Sequence, residues 1–345
     1  MTRVRRADEA EWVRPSDVPD GSVVSVFRVP PEVAGQRLDV FLQAQLKRTS
    51  RTRAQHIIRA SAYDDAGRRL RSNDRVRPFQ QILLWRAPWD ENPVPTEVPV
   101  LYEDAHLLAV DKPANLPVHP SARYHRNTLI KALQARRPGE WLSLGHRLDR
   151  ETSGVLLVAK TPVCDRALKR AFEERDGIEK TYLALTWGVP GRAEGTKEFR
   201  FERSVELDPT HSTKVKMRLG ETEDALFAAT RFTVEGARHR VAAGRETTYA
   251  RVRCVLETGR QHQIRLHLSA LGAPIVGDKL YGPDDTCFAR GADGVLTEAD
   301  VALLELPRHA LHAWRLTLRH PVTDAPLALE APVPADFEEF WRALD

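Results

Sequence analysis

Apolar positions along the chain follow two periods, one of three to four residues and one of two, and these predict the elements. Residues 22–29 (SVVSVFRV) read as a strand that stops at Pro30-Pro31. Leu38, Phe41, Leu42 and Leu46 predict a helix over 36–46, and Ser50 is a natural N-cap for a second helix with Ala54, Ile57 and Ile58 facing inward. The outer face of that second helix offers Arg51, Gln55 and Arg59, with Arg53 beside them and Arg48 just before. Turn signals at 65–67 and 73–74 and an apolar stretch over 81–85 complete a small hairpin. Further on, strands are predicted over 106–110, 154–159, 181–187, 226–234 and 247–257, and helices over 128–136, 162–174, 260–271 and 335–344. In the last strand Ala250, Val252, Cys254 and Leu256 share one face, which makes Cys254 a core residue and not a nucleophile. Helices set irregularly among strands, without strict alternation, predict an α+β fold.

A length of 345 residues suggests about two domains. The segment DENPVPTE (90–97), with two prolines and three acids, separates them as a linker. The expected layout is a lead-in over 1–34, a small module over 35–89, the linker over 90–97, and a large domain over 98–345. No apolar run approaches the roughly 18 residues of a membrane span, and the N-terminus lacks the apolar core of a signal peptide. Three cysteines, far apart and odd in number, exclude a disulfide framework and a CxxC zinc site. These features predict a soluble, cytoplasmic, monomeric protein with no membrane partner.

Charge sharpens the division. Between residues 37 and 86 twelve Lys and Arg stand against four Asp, a surplus of eight in a chain whose net charge is +4. A basic module on a mildly acidic body is the distribution expected of a polyanion binder, with a solvated Arg-rich surface as the bland alternative. Arg48, Arg51, Arg53, Gln55 and Arg59 are its candidate polyanion-binding residues.

Phosphate-binding glycine loops, HExxH and GxSxG are all absent from the sequence. The expected chemistry therefore uses ordinary side chains, with no metal and no cofactor. One segment, GHRLDRETSGVLLVAK (145–160), runs a cluster of polar groups into a core strand. Such groups are costly there unless paired, and either a functional site or a capped turn accounts for them. A second segment, ETGRQHQIRLHLSALG (257–272), sets Arg265 beside an apolar helical stripe, where a guanidinium seeks a carboxylate.

HRLDRETSG (146–154), with DKPANLPVHP (111–120) before it and EKTYLALTWG (179–188), TGRQHQIRLHLSALGAPIVGDKLYG (258–282) and RHALHAWRLTLRHP (308–321) after it, resembles the RluA-type RNA pseudouridine synthase family. The basic module resembles an S4-type RNA-binding domain, and the pair is similar to the branch acting on large-subunit ribosomal RNA. Two departures stand out. Asn115 occupies a position where the family commonly has glycine, and 283–306 is a divergent insertion.

The resemblance implies an α+β catalytic domain with a mixed, largely antiparallel sheet, preceded by a small α/β S4-like domain. It also implies the isomerisation of uridine to pseudouridine in structured RNA. It makes Asp149 the catalytic aspartate, Arg265 its ion-pair partner, and Tyr182 the ring that stacks on the uracil. Leu311 lines the base pocket, and Arg147 holds the RNA after the nucleotide has left its stack. His146, Arg260 and His262 join these as substrate-binding candidates, although His146 alone reads more simply as a support for the catalytic loop. In GDKLYG, Lys279 is a candidate phosphate contact. The physics is compatible: the reaction needs no oxidant, and a carboxylate beside an arginine stays ionised in a dry pocket. Ribosomal RNA is the first choice of partner and transfer RNA the second. The rival readings are a non-catalytic RNA-binding assembly protein and a glycoside or nucleoside hydrolase, which needs two placed carboxylates.

Overall fold

The computed structural model describes residues 12–46, 49–88, 91–121, 123–174, 177–191, 197–213, 215–242 and 244–345. The chain divides into two compact units, Met1–Glu91 and Asn92–Asp345.

In the first unit, β1 (Val23–Arg28), α1 (Leu38–Gln45), α2 (Arg51–Ser61), β2 (Ala62–Asp64) and β3 (Gln81–Arg86) form a three-stranded antiparallel sheet with two helices. The central strand is β3, which pairs with β1 on one side and β2 on the other. Residues 23–28 therefore belong to this unit and not to a lead-in that ends at residue 34. Their neighbouring apolar side chains are buried, and an apolar strand with its ladder groups unpaired is unfavourable. Ser50 caps α2 as expected, its hydroxyl accepting from the Arg53 amide at 3.2 Å. Asp39 is wholly buried and receives a two-pronged hydrogen bond from Arg37, at 3.0 Å on each arm. Gln55 donates to the same carboxylate at 2.7 Å and Arg51 at 3.2 Å.

The second unit is built on a ten-stranded sheet. Its strands are β4 (Val100–Glu103), β5 (Leu107–Lys112), β6 (Ser143–Leu144), β7 (Ser153–Ala159), β8 (Glu179–Trp187), β9 (Glu198–Glu202), β12 (Ala229–Ala242), β13 (Arg245–Leu256), β14 (Leu311–Arg319) and β15 (Pro326–Glu330). A separate hairpin joins β10 (Val205–Leu207) to β11 (Met217–Leu219). Along the main path the order is β4-β5-β7-β14-β8-β13-β12-β9. Among the described residues only the β7–β14 pairing is parallel, so the sheet is mixed and largely antiparallel. Helices α3 (Leu129–Arg136), α4 (Pro162–Glu174), α5 (Gln263–Ala270) and α8 (Ala335–Arg342) are amphipathic or buried.

Both faces of the sheet are covered, which is why Tyr249 is as buried as Cys254 on the opposite face of β13. The 283–306 insertion folds into α6 (Cys287–Asp293) and α7 (Glu298–Leu304). Asp284, Cys287 and Asp300 gather there, but Arg290 supplies the cation, reaching Asp300 at 2.6 and 2.8 Å and Asp284 at 3.0 Å. Near the end of the insertion lies Glu305, whose carboxylate accepts from Trp187 (2.7 Å), Tyr249 (2.8 Å) and Arg240 (2.6 Å).

Candidate active site

The polar segment 149–153 turns into β7 with nearly every side chain anchored. Glu151 accepts two 3.0 Å hydrogen bonds from the Lys279 ammonium and one from the His309 amide at 3.2 Å. The Thr152 hydroxyl meets His309 Nε2 at 2.8 Å, and Ser153 meets His312 Nδ1 at 2.9 Å. From behind, the buried Lys112 ammonium donates to the carbonyls of Pro113 (2.8 Å), Leu116 (3.0 Å) and Arg150 (3.0 Å). Burial without a directly bonded carboxylate pushes the Lys112 pKa down to about 7. The Asp149 side chain keeps 26% of its surface open.

Arg265 reaches Asp149 from α5, Nη1 to Oδ2 at 2.9 Å. Its other two nitrogens fork onto Asp278, Nε at 2.7 Å and Nη2 at 2.8 Å. Asp278 is fully buried, and its Oδ1 also accepts the amides of Leu280 (2.9 Å) and Tyr281 (3.0 Å). Sequence reasoning missed Asp278. A lone acid in the apolar run APIVGDKLYG was the available signal that Arg265 has a second partner. Lys279 is held by Glu151 and by the Pro307 carbonyl at 2.6 Å, and is only 6% exposed, so it is a structural cation and not a phosphate contact.

Burial opposes ionisation of Asp149, but His262, Arg265 and His309 together hold its carboxyl below the usual range. Burial also pushes His262 down to about 4 and His309 to about 3, so both are neutral at pH 7 and Arg265 is then the cation that matters. Tyr182 is shifted the other way, by burial and by Asp149, and its phenol stays protonated.

These groups surround a cavity of about 160 Å³, with Asp149, Tyr182, Arg265, His262, Leu311 and Arg147 in its walls. Cavities of about this size accept a single six-membered ring. Arg260 also lines it, and its Nε donates to the Phe227 carbonyl at 3.0 Å. Seven of the eight expected catalytic and substrate-binding residues therefore meet at one cavity. His146 does not line it. Its Nε2 accepts the Leu157 amide at 3.1 Å and its ring lies 4.8 Å from Phe172, so it props the loop from the sheet side. Arg51, Arg53, Gln55 and Arg59 lie on α2 of the other unit, and Arg48 falls outside the described residues.

An aspartate locked by arginine at the mouth of a ring-sized cavity, on a mixed sheet with this strand order, points to one class, and the chain belongs to the RNA pseudouridylate synthase family, whose pattern it matches over residues 106–270. It is an isomerase acting on RNA. Among relatives, it is 35% identical to a Ribosomal large subunit pseudouridine synthase D of Xanthomonas campestris pv. campestris, over 92% of this chain and 91% of that one. The protein of the same name from Nitrosomonas europaea is 33% identical, over 92% and 86%. The solved structure of human RNA Pseudouridylate Synthase Domain Containing 1 aligns with a TM-score of 0.53 at 26% identity, covering 70% of this chain and 86% of that one.

Proposed function

We propose that this synthase converts uridine to pseudouridine in large-subunit ribosomal RNA, using Asp149 on a nucleotide flipped out of the RNA. The observation that carries the reading is the ionised, partly open Asp149 carboxylate, fixed by Arg265 at a cavity sized for one ring. The names of the relatives support the choice of RNA.

In the reaction the C1′–N1 bond breaks, the uracil turns, and C5 bonds to C1′. The C5 hydrogen leaves as a proton and N1 gains one, so the product is an isomer. Asp149 can attack C1′, add to C6, or remove the C2′ proton, and each route needs it ionised beside the sugar. Arg265 keeps it so and fixes its orientation. Tyr182 offers an aromatic wall and Leu311 an apolar one for the extruded base, while Arg147 and Arg260 hold the RNA at the rim.

The first unit acts as an S4-like RNA-binding domain, with Arg51, Arg53 and Arg59 exposed along α2 for phosphate. Asp39 draws on Arg51 and Gln55, which fixes that face and leaves Gln55 more brace than contact.

Ribosomal RNA labelled with tritium at uracil C5 tests the reading. Wild type should release tritium with the base retained in the chain, and Asp149→Asn should release none while binding RNA normally. Free uracil would indicate hydrolysis instead, and binding without release would leave only an RNA-binding protein. Mapping pseudouridines in ribosomal and transfer RNA from cells lacking the protein identifies the target.

A further inference from the structure

Tyr281 touches both groups that flank Asp149. Its ring lies beneath the Arg265 guanidinium, 5.1 Å from carbon to centroid, and meets the His262 ring edge-on at 5.6 Å. Its hydroxyl oxygen accepts the Met217 amide of β11 at 2.8 Å and lies 2.9 Å from His262 Nδ1. The residue is 5% exposed, so a hydroxyl proton without an acceptor would be costly. With the Met217 N–H already donating, the acceptor that the described residues offer that proton is His262 Nδ1. A hydroxyl donating to Nδ1 leaves the imidazole proton on Nε2. His262 lines the cavity, and that nitrogen lies 3.8 Å from Asp149 Oδ1.

His262 occupies this place in a left-handed conformation, φ 56°, which is uncommon for a non-glycine residue and persists only where the surroundings impose it. The Ser269 hydroxyl, two turns along α5, also bonds to the Tyr281 carbonyl at 3.0 Å, so the helix and the 278–281 turn are fastened at both levels.

We propose that Tyr281 is a positioning residue of the isomerisation: its hydroxyl fixes His262 as the neutral Nε2–H tautomer, and that N–H donates to an acceptor oxygen of the flipped uridine beside Asp149. The inference rests on the proposed function for its substrate, but not for its tautomer. Burial keeps His262 neutral across the working pH range, so what it offers is a directed donor and not a charge. Through Met217 the β10–β11 hairpin is joined to the site by the same hydroxyl.

Nitrogen-15 spectra of histidine-labelled protein, with the His262 signals assigned by their loss in His262→Gln, read the tautomer without any turnover. Wild type should show Nδ1 as the bare nitrogen, and Tyr281→Phe should turn this into a mixture. Tyr281→Phe keeps the ring under Arg265, so kcat should fall on the order of ten- to hundredfold with KM for RNA nearly unchanged. His262→Gln places an amide N–H near the position of Nε2, so its kcat should fall less than that of His262→Ala. In that background adding Tyr281→Phe should cost little further, since the hydroxyl no longer has a tautomer to set. A wild-type His262 protonated on Nδ1, or Tyr281→Phe and His262→Gln effects that simply multiply, would overturn the proposal. If wild type releases no tritium from RNA, the assigned reaction fails, while the spectra still decide the tautomer.

Discussion

Arg265 gives two nitrogens to Asp278 and one to Asp149, and this asymmetry decides what its loss does. Arg265→Met leaves Asp278, which has no exposure, as a buried carboxylate without its cation, a loss of about 3–5 kcal/mol. Adding Asp278→Asn should recover much of that, whereas adding Asp149→Asn should recover less, because Asp149 still reaches solvent. Urea unfolding of the two double variants checks the order, and equal recovery would mean that the fork to Asp278 is not the main anchor. The pH dependence has a definite sign. In wild type Asp278 is held below its unfolded value, so its contribution is complete above that value and is lost as pH falls through the folded one. In Arg265→Met the folded value lies above the unfolded one, so the deficit is present at neutral pH and shrinks on acidification. Asp149→Asn, by contrast, should be inactive at near wild-type stability. Asp278 also bears on the hydrolase alternative. It is a second carboxylate near Asp149, but it is sealed behind Arg265 and cannot act on a substrate.

At the scale of elements, the junction of β7 with its neighbours explains several motif residues together. Gly154 has φ 112°, and a Cβ there would lie 2.2 Å from the Ala313 carbonyl oxygen of β14. Gly154→Ala should therefore break the parallel pairing and destabilise the second unit by about 3 kcal/mol or more, read as a lowered melting temperature. Asn115 has φ 64°, which accounts for the glycine common at that position in the family. Lys112 ties the end of β5 to the catalytic loop at a pKa of about 7. The unfolded chain keeps a lysine proton up to about 10.5 that the folded one releases near 7, so this group makes stability rise with pH across that window. Lys112→Met should lack the rise, of up to about 1.4 kcal/mol per pH unit, when unfolding is followed from about pH 7.5 to 9.5. Strands and helices with a clean period were legible in the sequence: α4 spans 162–174 as expected, and Thr128 caps α3. The insertion helices were not, because seven-residue elements show too little periodicity. Asp149, Arg265 and Tyr182 were legible through motifs, whereas Asp278, Tyr281 and Lys112 were not. Their roles depend on partners 13, 19 and 38 residues away in sequence, which no local pattern reveals.

For the whole molecule, the proposed reading predicts that the charge surplus over residues 37–86 carries much of the RNA affinity. A protein lacking residues 1–91 keeps the main core and the cavity, both of which lie in the second unit. It should bind structured RNA more weakly and with a flatter dependence on salt, since log affinity falls with log salt by about 0.7–0.9 per phosphate contact. An unchanged slope in filter-binding titrations would move those contacts to the catalytic unit. The strand order also sets a schedule for the chain during its own synthesis. Strand β14 lies between β7 and β8, and the pairing of Ser153 with His312 spans 159 residues. Until residue 311 has left the ribosome, β8 and the start of β7 at Ser153 and Gly154 lack the strand that joins them. Unpaired edges invite capture by other chains, and long-range closure of this kind is slow. Leu311, which lines the base cavity, is the first residue of that closing strand. The cavity around Asp149 therefore lacks one of its walls while the chain is still being translated through its middle, and it is completed only when that closing strand is made.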